Sequence, residues 1–329
     1  MNTKNLASID LGSNSCRLRI VDDKGALLYN DSKATNLAEG LFETGSLTES
    51  AQLRALNALS EFAVLIDLYE VGSYRAVATA ACRTAKNGAD FIKKVEEETG
   101  LSLEIIDTYE EARLNLKGAL LNAPKDKKYA IVYDLGGAST EISLAENNDK
   151  ARILHTISIP WGSRNASVAY DLQEFDSARV AALKKEVKTY VEAFINECGF
   201  EKYRKDCCLI ATSMTPLRLC SMIKKDEVYA REKNDGAVVT CADFDEAIKN
   251  VYGMNMLQRA KSPYIGENRA PIFVAACVIF KAVYDELKFD KLIVSYKSAQ
   301  DAILKELQYG ENDEVRQSYS RSQNTNRTR

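Results

Sequence analysis

Histidine is nearly absent from this chain of 329 residues, which contains only His155. A Ser-His-Asp triad or a His-rich zinc site is therefore not expected. The eight cysteines include no Cys-x-x-Cys pair, and most of them lie within apolar runs. We expect them to be reduced and buried, as in a cytoplasmic protein. Any catalysis must rest on carboxylates, hydroxyls, arginine and lysine.

Long apolar runs and a strong net charge are also missing. No run of about eighteen apolar residues predicts a membrane span. No basic-then-apolar leader precedes the first predicted strand at Leu6, which again favours the cytoplasm. The net charge of −3 does not indicate a nucleic-acid partner. Residues 83–128 are nevertheless locally basic, which would attract a polyanion, although solvated helix faces explain the individual lysines equally well.

The most informative stretch is residues 129–144, which reads as a strand, a tight turn and a second strand. Its centre is Asp134-Leu-Gly-Gly-Ala-Ser-Thr-Glu141. Glycines allow the backbone to approach a ligand closely, and adjacent amides and hydroxyls can surround a phosphate. Asp134 and Glu141 would flank the turn with the hard oxygen ligands that Mg²⁺ requires.

A similar pattern occurs at Asp10-Leu-Gly-Ser-Asn-Ser15, again between two predicted strands. Two copies indicate a pseudo-repeat, that is, two similar half-structures facing each other across a cleft. Two ordinary β-hairpins are the alternative, because Asp and Gly are common turn residues. The repeat with matching hydroxyls favours a phosphate site.

These two loops resemble those of the exopolyphosphatase and guanosine pentaphosphate phosphatase (Ppx/GppA) family, which belongs to the actin, sugar-kinase and heat-shock-ATPase superfamily. The resemblance extends to Ala78-Thr-Ala-Ala-Cys-Arg83 and Glu110-Glu-Ala-Arg-Leu114. It implies an α/β fold of two ribonuclease-H-like (actin-like ATPase) domains facing a central cleft. We expect an N-terminal domain at 1–124, a C-terminal domain at 125–309 and a disordered tail at 310–329.

The resemblance also implies the site residues. Asp10, Asp134 and Glu141 would hold Mg²⁺ or another divalent cation. Glu111 would be the general base that takes a proton from water. Substrate would contact Gly12, Ser13, Asn14, Ser15, Arg83, Gly136, Gly137, Ala138, Ser139 and Thr140.

Two of these assignments have structural alternatives. Thr108-x-x-Glu111 is itself a capping box, so Glu111 could instead satisfy a backbone amide. Arg83 could be a surface arginine at the end of a helix. Glu110 and Arg113 could either orient Glu111 or pair on the helix surface.

The implied activity is removal of a terminal phosphate from inorganic polyphosphate or guanosine pentaphosphate. A non-catalytic sensor of polyphosphate or of guanosine penta- or tetraphosphate is the alternative. One difference from the family pattern favours the sensor: residues 211–215 read Ala-Thr-Ser-Met-Thr, where the family has a glycine-rich loop. Family members are often dimers, so a homodimer is an option.

The same sequence predicts individual elements. A capping box at Ser46–Glu49 predicts a helix with Leu53 on its apolar stripe. Further helices are expected at 176–198, 268–287 and 299–307.

Overall fold

The computed structural model describes residues 4–229 and 231–309, which divide into two compact units: residues 4–118 with 298–309, and residues 119–297. The first unit contains five strands and five helices before the division. They are β1 (Asn5–Leu11), β2 (Ser15–Val21), β3 (Leu27–Ala34), α1 (Leu41–Thr44), α2 (Glu49–Leu68), β4 (Val71–Ala78), α3 (Ala80–Thr84), α4 (Gly88–Thr99), β5 (Leu103–Ile105) and α5 (Thr108–Leu120).

The sheet of the first unit has the strand order β3-β2-β1-β4-β5. β1 pairs antiparallel with β2 and parallel with β4, and β4 pairs parallel with β5. This is the ribonuclease-H-like arrangement. The carboxyl ends of β1, β4 and β5 meet at one edge, because Leu11 pairs with Ala78, and Ala78 with Ile105. The segments that follow these strands carry the predicted site residues.

The second unit repeats this plan with one added edge strand. Its elements are β6 (Tyr129–Leu135), β7 (Thr140–Glu146), β8 (Ile153–Ile159), α6 (Ser163–Ala169), α7 (Ser177–Cys198), β9 (Cys207–Thr212), α8 (Met214–Lys224), β10 (Val238–Thr240), α9 (Cys241–Tyr252), α10 (Met256–Lys261), α11 (Phe273–Leu287) and β11 (Lys291–Val294). The strand order β8-β7-β6-β9-β11 matches that of the first sheet, and β10 is added beyond β11.

The last described helix, α12 (Ala299–Tyr309), belongs to the first unit. Its apolar face, which includes Ile303 and Leu307, packs in one cluster with Leu6, Val77 and Leu114. The structure divides after residue 118, not at the predicted boundary of 124/125. The chain returns to the first unit at residue 298, so α12 does not belong to the second domain predicted at 125–309. The predicted tail at 310–329 lies outside the described residues.

Several predicted helices differ in detail. α2 is capped by Thr48, whose hydroxyl accepts from the Ala51 amide, and not by Ser46. Leu53 is 58% exposed, so it does not belong to the buried stripe. The helix predicted from residue 268 begins at Phe273. Pro271 disfavours helical backbone geometry at Ala270, the residue before it, so the helix cannot start earlier. In the part of the chain with described coordinates, no helix has both the length and the apolar character to cross a membrane.

Candidate active site

The first loop joins β1 to β2 and closes through a hydrogen bond from the Gly12 amide to the Ser15 carbonyl, 3.0 Å long. The carbonyls of Ser13 and Asn14 accept from backbone amides of residues 35–38, which turns them towards the protein. The amides of Ser13 and Asn14 have no acceptor among the described residues. The predicted loop thus presents two amides that an anion can use.

The second loop, between β6 and β7, closes in the same way: the Gly136 amide donates to the Ser139 carbonyl at 2.9 Å. The Gly137 carbonyl accepts from the Arg164 amide, and the Ala138 carbonyl accepts from Asn165 Nδ2, both at 2.8 Å. Within residues 4–229 and 231–309, the amides of Gly137 and Ala138 have no acceptor. The shared geometry supports the reading of the two loops as copies.

Thr140 does not lie on the open face of the second loop. Its side chain is fully buried and its hydroxyl donates to the Trp161 carbonyl at 2.8 Å. It occupies the place that buried Cys16 has in the first hairpin, since Leu135 pairs with Thr140 as Leu11 pairs with Cys16. The prediction that Thr140 contacts substrate is therefore corrected, because its hydroxyl is used by the framework of the loop.

Glu111 lies in the first turn of α5, and Arg83 lies in α3 after β4. Arg83 Nη1 donates to Glu111 Oε2 at 3.0 Å and to the Ile106 carbonyl at 2.9 Å. The cap of α5 is provided instead by Asp107, which accepts from the Glu110 amide at 2.7 Å. The structure therefore does not show Glu111 capping α5. Arg83 is paired with Glu111 and is not an unpartnered surface arginine at the end of a helix.

Asp10 lies at the end of β1, opposite Arg17 of β2, with an ion pair of 3.6 Å. Burial raises the pKa of the Asp10 carboxyl, Arg17 lowers it, and the nearby charge of Glu111 raises it further. The Glu111 charge thus acts on Asp10, and Arg83 contacts Glu111, all within the first unit.

Asp134 and Glu141 form the corresponding group in the second unit, directly opposite each other on β6 and β7. Desolvation by the surrounding protein raises the pKa of the Asp134 carboxyl, and because the residue is exposed, solvent screening limits this effect. The Thr212 hydroxyl lowers this pKa and the Glu141 charge raises it. Neither carboxylate has an ion pair within the described chain, so two like charges face each other without a protein cation.

The predicted metal ligands therefore divide between the units, with Asp10 in the first and Asp134 and Glu141 in the second. Among the described residues, no group of three or more His, Cys, Asp or Glu side chains is arranged to hold a metal ion by itself. The Asp134–Glu141 pair nevertheless fits Mg²⁺, which takes one or two carboxylates together with water and phosphate oxygens.

Glu110 and Arg113 form part of a buried ion network that does not include Glu111. Glu110 accepts from Arg113 at 2.6 Å and from Arg75 at 2.9 Å. Arg75 and Arg113 also bind Glu306 of α12, at 3.3 and 2.8 Å. Neither predicted role is observed as stated, because Glu110 and Arg113 pair with each other within a buried network that joins α5 to α12 and not on the helix surface.

The altered loop at 211–215 keeps a glycine-like backbone. Ser213 has φ +87° and ψ 177°, a combination that is essentially restricted to glycine. Its hydroxyl is buried and has no hydrogen-bond partner in the described structure. The loop therefore keeps a glycine-like conformation without a glycine, and it does so with strain.

Sequence reasoning missed the residues behind the second loop. A Cβ on Gly162 would lie 2.5 Å from the Ala138 amide nitrogen, so only glycine allows this close approach. Asn165 fixes the Ala138 carbonyl, and the Arg164 side chain lies against Gly137. The available signal was weak: one glycine and a run of polar residues directly after β8.

The model of the Ppx/GppA phosphatase family matches residues 18–310. The chain belongs to this family. This member of the Ppx/GppA phosphatase family thus contains the two glycine loops, Arg83 and Glu111 described above.

Three curated relatives show how far the likeness extends. A bifunctional 3-dehydroquinate synthase/phosphatase of Fusobacterium nucleatum is 28% identical over 303 residues, covering 88% of this chain and 44% of that protein. A guanosine-5'-triphosphate,3'-diphosphate pyrophosphatase of Photobacterium profundum is 26% identical, covering 92% and 59%. Exopolyphosphatase 2 of Mycobacterium tuberculosis is 27% identical, covering 91% and 97%. The chain thus spans about half the length of the first two relatives.

A solved structure supports the fold. The crystal structure of the Aquifex aeolicus Ppx/GppA phosphatase in its type II variant has a TM-score of 0.81 and 25% identity. The match covers 92% of this chain and 98% of that chain. The predicted family and α/β fold class are confirmed.

Proposed function

We propose that this Ppx/GppA chain is a phosphohydrolase that removes the terminal phosphate of inorganic polyphosphate, of guanosine pentaphosphate, or of both. Relatives named exopolyphosphatase and guanosine pentaphosphate pyrophosphatase support this substrate class. The two loops with unpaired amides support phosphate binding. A cytoplasmic location, a homodimer and the absence of a nucleic-acid partner remain predictions from the sequence.

The contact between Arg83 and Glu111 is the observation that carries the proposal. The Glu111 carboxylate does not cap α5, because Asp107 does so. One Glu111 oxygen accepts a hydrogen bond from Arg83, which orients the carboxylate as a general base requires. Arg83 uses only Nη1 in its contacts with described residues, so Nε and Nη2 can donate to a phosphate oxygen. Glu111 would take the proton of the attacking water, while Arg83 and the loop amides would stabilise the developing negative charge.

We also propose Mg²⁺ as the cofactor, held in the second unit by Asp134 and Glu141; the assignment of Asp10 as a further ligand remains a prediction from the sequence. The chemistry of these donors fits, because all are carboxylates and the facing pair on β6 and β7 lacks a cation. When bound, Mg²⁺ would neutralise charge on the phosphate oxygens. This chain's residues would hold the ion and keep the loop amides directed at the phosphate.

Phosphate release from polyphosphate and from guanosine pentaphosphate tests the proposal, with Mg²⁺ present and with ATP as a comparison substrate. In ¹⁸O-labelled water, direct attack by water should place one labelled oxygen in each released phosphate. Release from either of the first two substrates, well above that from ATP, is the expected result. Preferential ATP hydrolysis would contradict the proposed substrate class.

Binding without turnover is the second candidate, and the loop at 211–215 favours it. A serine stands in a backbone conformation that normally requires glycine, so this loop differs from its family pattern. A sensor would bind polyphosphate or guanosine tetraphosphate with no phosphate release in the presence of Mg²⁺.

A further inference from the structure

One row of directly paired residues crosses four strands of the second sheet beside the second loop. The row has one residue on each strand: Ser158 on β8, Glu141 on β7, Asp134 on β6 and Thr212 on β9. Directly paired residues of neighbouring strands point to the same face of a sheet. The facing carboxylates therefore have a hydroxyl side chain at each end of their row.

The corresponding row of the first sheet has a different chemistry. Asp10 is paired with Arg17, and Arg17 is paired with Ser32. Apolar Val77 takes the place that Thr212 has in the second sheet. Because Arg17 compensates Asp10, the first row contains no pair of like charges. Only the second row sets two carboxylates between two hydroxyls.

The Ser158 hydroxyl holds one oxygen of the Glu141 carboxylate. Ser158 Oγ donates to Glu141 Oε1 at 3.1 Å. Across the described parts of the chain, Glu141 Oε2 has neither a hydrogen bond nor an ion pair. One oxygen is thus fixed by a charge-assisted hydrogen bond, and the other remains available to a cation.

Glu141 is the partner that gives the Ser158 side chain a role. Ser158 is exposed, and its hydroxyl makes no second hydrogen bond to a described residue. An exposed hydrogen bond of this kind adds little to fold stability, because water can replace it. A neighbouring hydroxyl pair, Ser143 Oγ and Thr156 Oγ1 at 2.9 Å, lies two residues along the same two strands and offers a direct comparison.

We propose that Ser158 is a positioning residue for divalent-cation binding in the second unit, and that it acts through Glu141 and not as a ligand. The inference deepens the proposed Mg²⁺ site and rests on it. Hydrogen bonds to a ligating carboxylate fix its direction, and removing such a bond typically costs about tenfold or more in metal affinity.

The strand order explains why this contact matters. β7 lies between β8 and β6, so Ser158 lies on the side of Glu141 away from Asp134. The hydrogen bond draws one Glu141 oxygen away from the second negative charge and restricts a long, flexible side chain. A cation that binds between the carboxylates then has less to order. Without the Ser158 hydroxyl, the cation itself must order Glu141, and its affinity falls.

Mn²⁺ binding to the full chain, without substrate, tests the inference. Mn²⁺ suits the same carboxylate and water ligands as Mg²⁺, and electron paramagnetic resonance measures the free ion directly. We expect Ser158→Ala to raise the Mn²⁺ Kd about tenfold. Ser158→Thr, which keeps the hydroxyl, should stay within about threefold of wild type. Ser143→Ala is the matched control and should not change the Kd. Thermal unfolding of each variant verifies that it is folded.

A double-mutant cycle with Glu141→Ala separates positioning from direct ligation. Glu141→Ala alone should weaken Mn²⁺ binding, and adding Ser158→Ala should cause no further loss. A further loss would show that Ser158 is itself a ligand and would overturn the inference. Equal Kd values for wild type and Ser158→Ala, an equal loss in Ser143→Ala, or no Mn²⁺ binding by wild type would also overturn it. Phosphate release is measured separately, so failure of the hydrolase proposal is distinguished from failure of this one.

Discussion

Equivalent positions in the two repeated hairpins carry different charge pairs. Asp10 faces Arg17, whereas Asp134 faces Glu141. The first hairpin therefore neutralises its own carboxylate, and the second concentrates two negative charges. The sequence showed both aspartates, but the facing residue depends on strand register, which motif reading did not provide. This difference explains why a cation is expected mainly at the second hairpin.

Replacing Asp134 by asparagine tests this charge pair. Because the pKa of Asp134 is raised in the folded state, the folded protein binds the proton more tightly than the unfolded chain, and stability falls as pH rises. Asp134→Asn should thus raise the Tm at pH 7 in EDTA, and because the residue is exposed, solvent screening should keep this gain small. The gain should disappear below about pH 4, the ordinary carboxyl range.

Asp149→Asn, at an exposed turn of the same unit, is the control and should leave the Tm nearly unchanged. Adding Mg²⁺ should raise the Tm of wild type more than that of Asp134→Asn. A lower Tm for Asp134→Asn at pH 7 in EDTA would contradict the account.

Ser213 provides a second test at the residue scale. Its positive φ is strained for serine, so Ser213→Gly should stabilise the protein by about 1 kcal/mol. Ser102→Gly, at a loop position with ordinary φ, should instead lose up to about 1 kcal/mol through chain entropy. Thermal unfolding of both variants decides, and destabilisation by Ser213→Gly would show that the strain is not real.

Helix α6 and the residue before it determine the shape of the second loop. Gly162 lets the chain pass directly behind the loop, and Asn165 of α6 binds the Ala138 carbonyl. The glycine and hydroxyl pattern predicted the loop itself. The supporting contacts could not be predicted, because they depend on where the chain returns after β8.

Gly162→Ala should disturb this loop, because the new Cβ would strike the Ala138 and Ser139 amide nitrogens at 2.5 and 2.7 Å. A displaced loop should lower the rate of phosphate release by on the order of tenfold to a hundredfold. Gly253→Ala is the control, since the nearest backbone atom to its new Cβ, the Asn250 carbonyl oxygen, would lie at an ordinary contact distance of 3.5 Å. An unchanged rate in Gly162→Ala would show that the loop geometry does not matter for turnover.

The network around Glu306 joins α12 to the first unit. Glu306 is 5% exposed and binds both Arg75 and Arg113. Glu306→Ala would remove a carboxylate partner from the buried guanidinium groups of Arg75 and Arg113. We expect this loss to lower the free energy of unfolding by about 3 kcal/mol. Glu104→Ala is the matched control, because Glu104 also binds Arg75 but is half exposed, and it should cost no more than about 1 kcal/mol.

Thermal and denaturant unfolding of the two glutamate variants provide the measurement. Equal effects of Glu306→Ala and Glu104→Ala would contradict the structural role of the network. The sequence predicted α12 as a helix but assigned it to the wrong domain, because helical periodicity does not say which sheet a helix packs on.

At the level of the whole molecule, two short motifs predicted a repeat of two similar half-structures, and the family resemblance implied that they are ribonuclease-H-like. Family resemblance supplied Glu111, and the structure then removed the capping alternative by assigning that cap to Asp107. Thr140 was assigned to the substrate because its hydroxyl suits phosphate. Its burial follows from strand pairing, which a motif does not reveal.

Phosphate release by wild type and Glu111→Gln, with Mg²⁺ and either proposed substrate, tests whether Glu111 is the general base of a phosphohydrolase. Glu97→Gln, on an exposed face of α4, controls for the loss of one glutamate charge in the same unit. We expect release by wild type and by Glu97→Gln, and a fall of about a hundredfold or more in Glu111→Gln. Equal release by wild type and Glu111→Gln would contradict the assignment of Glu111 as the general base.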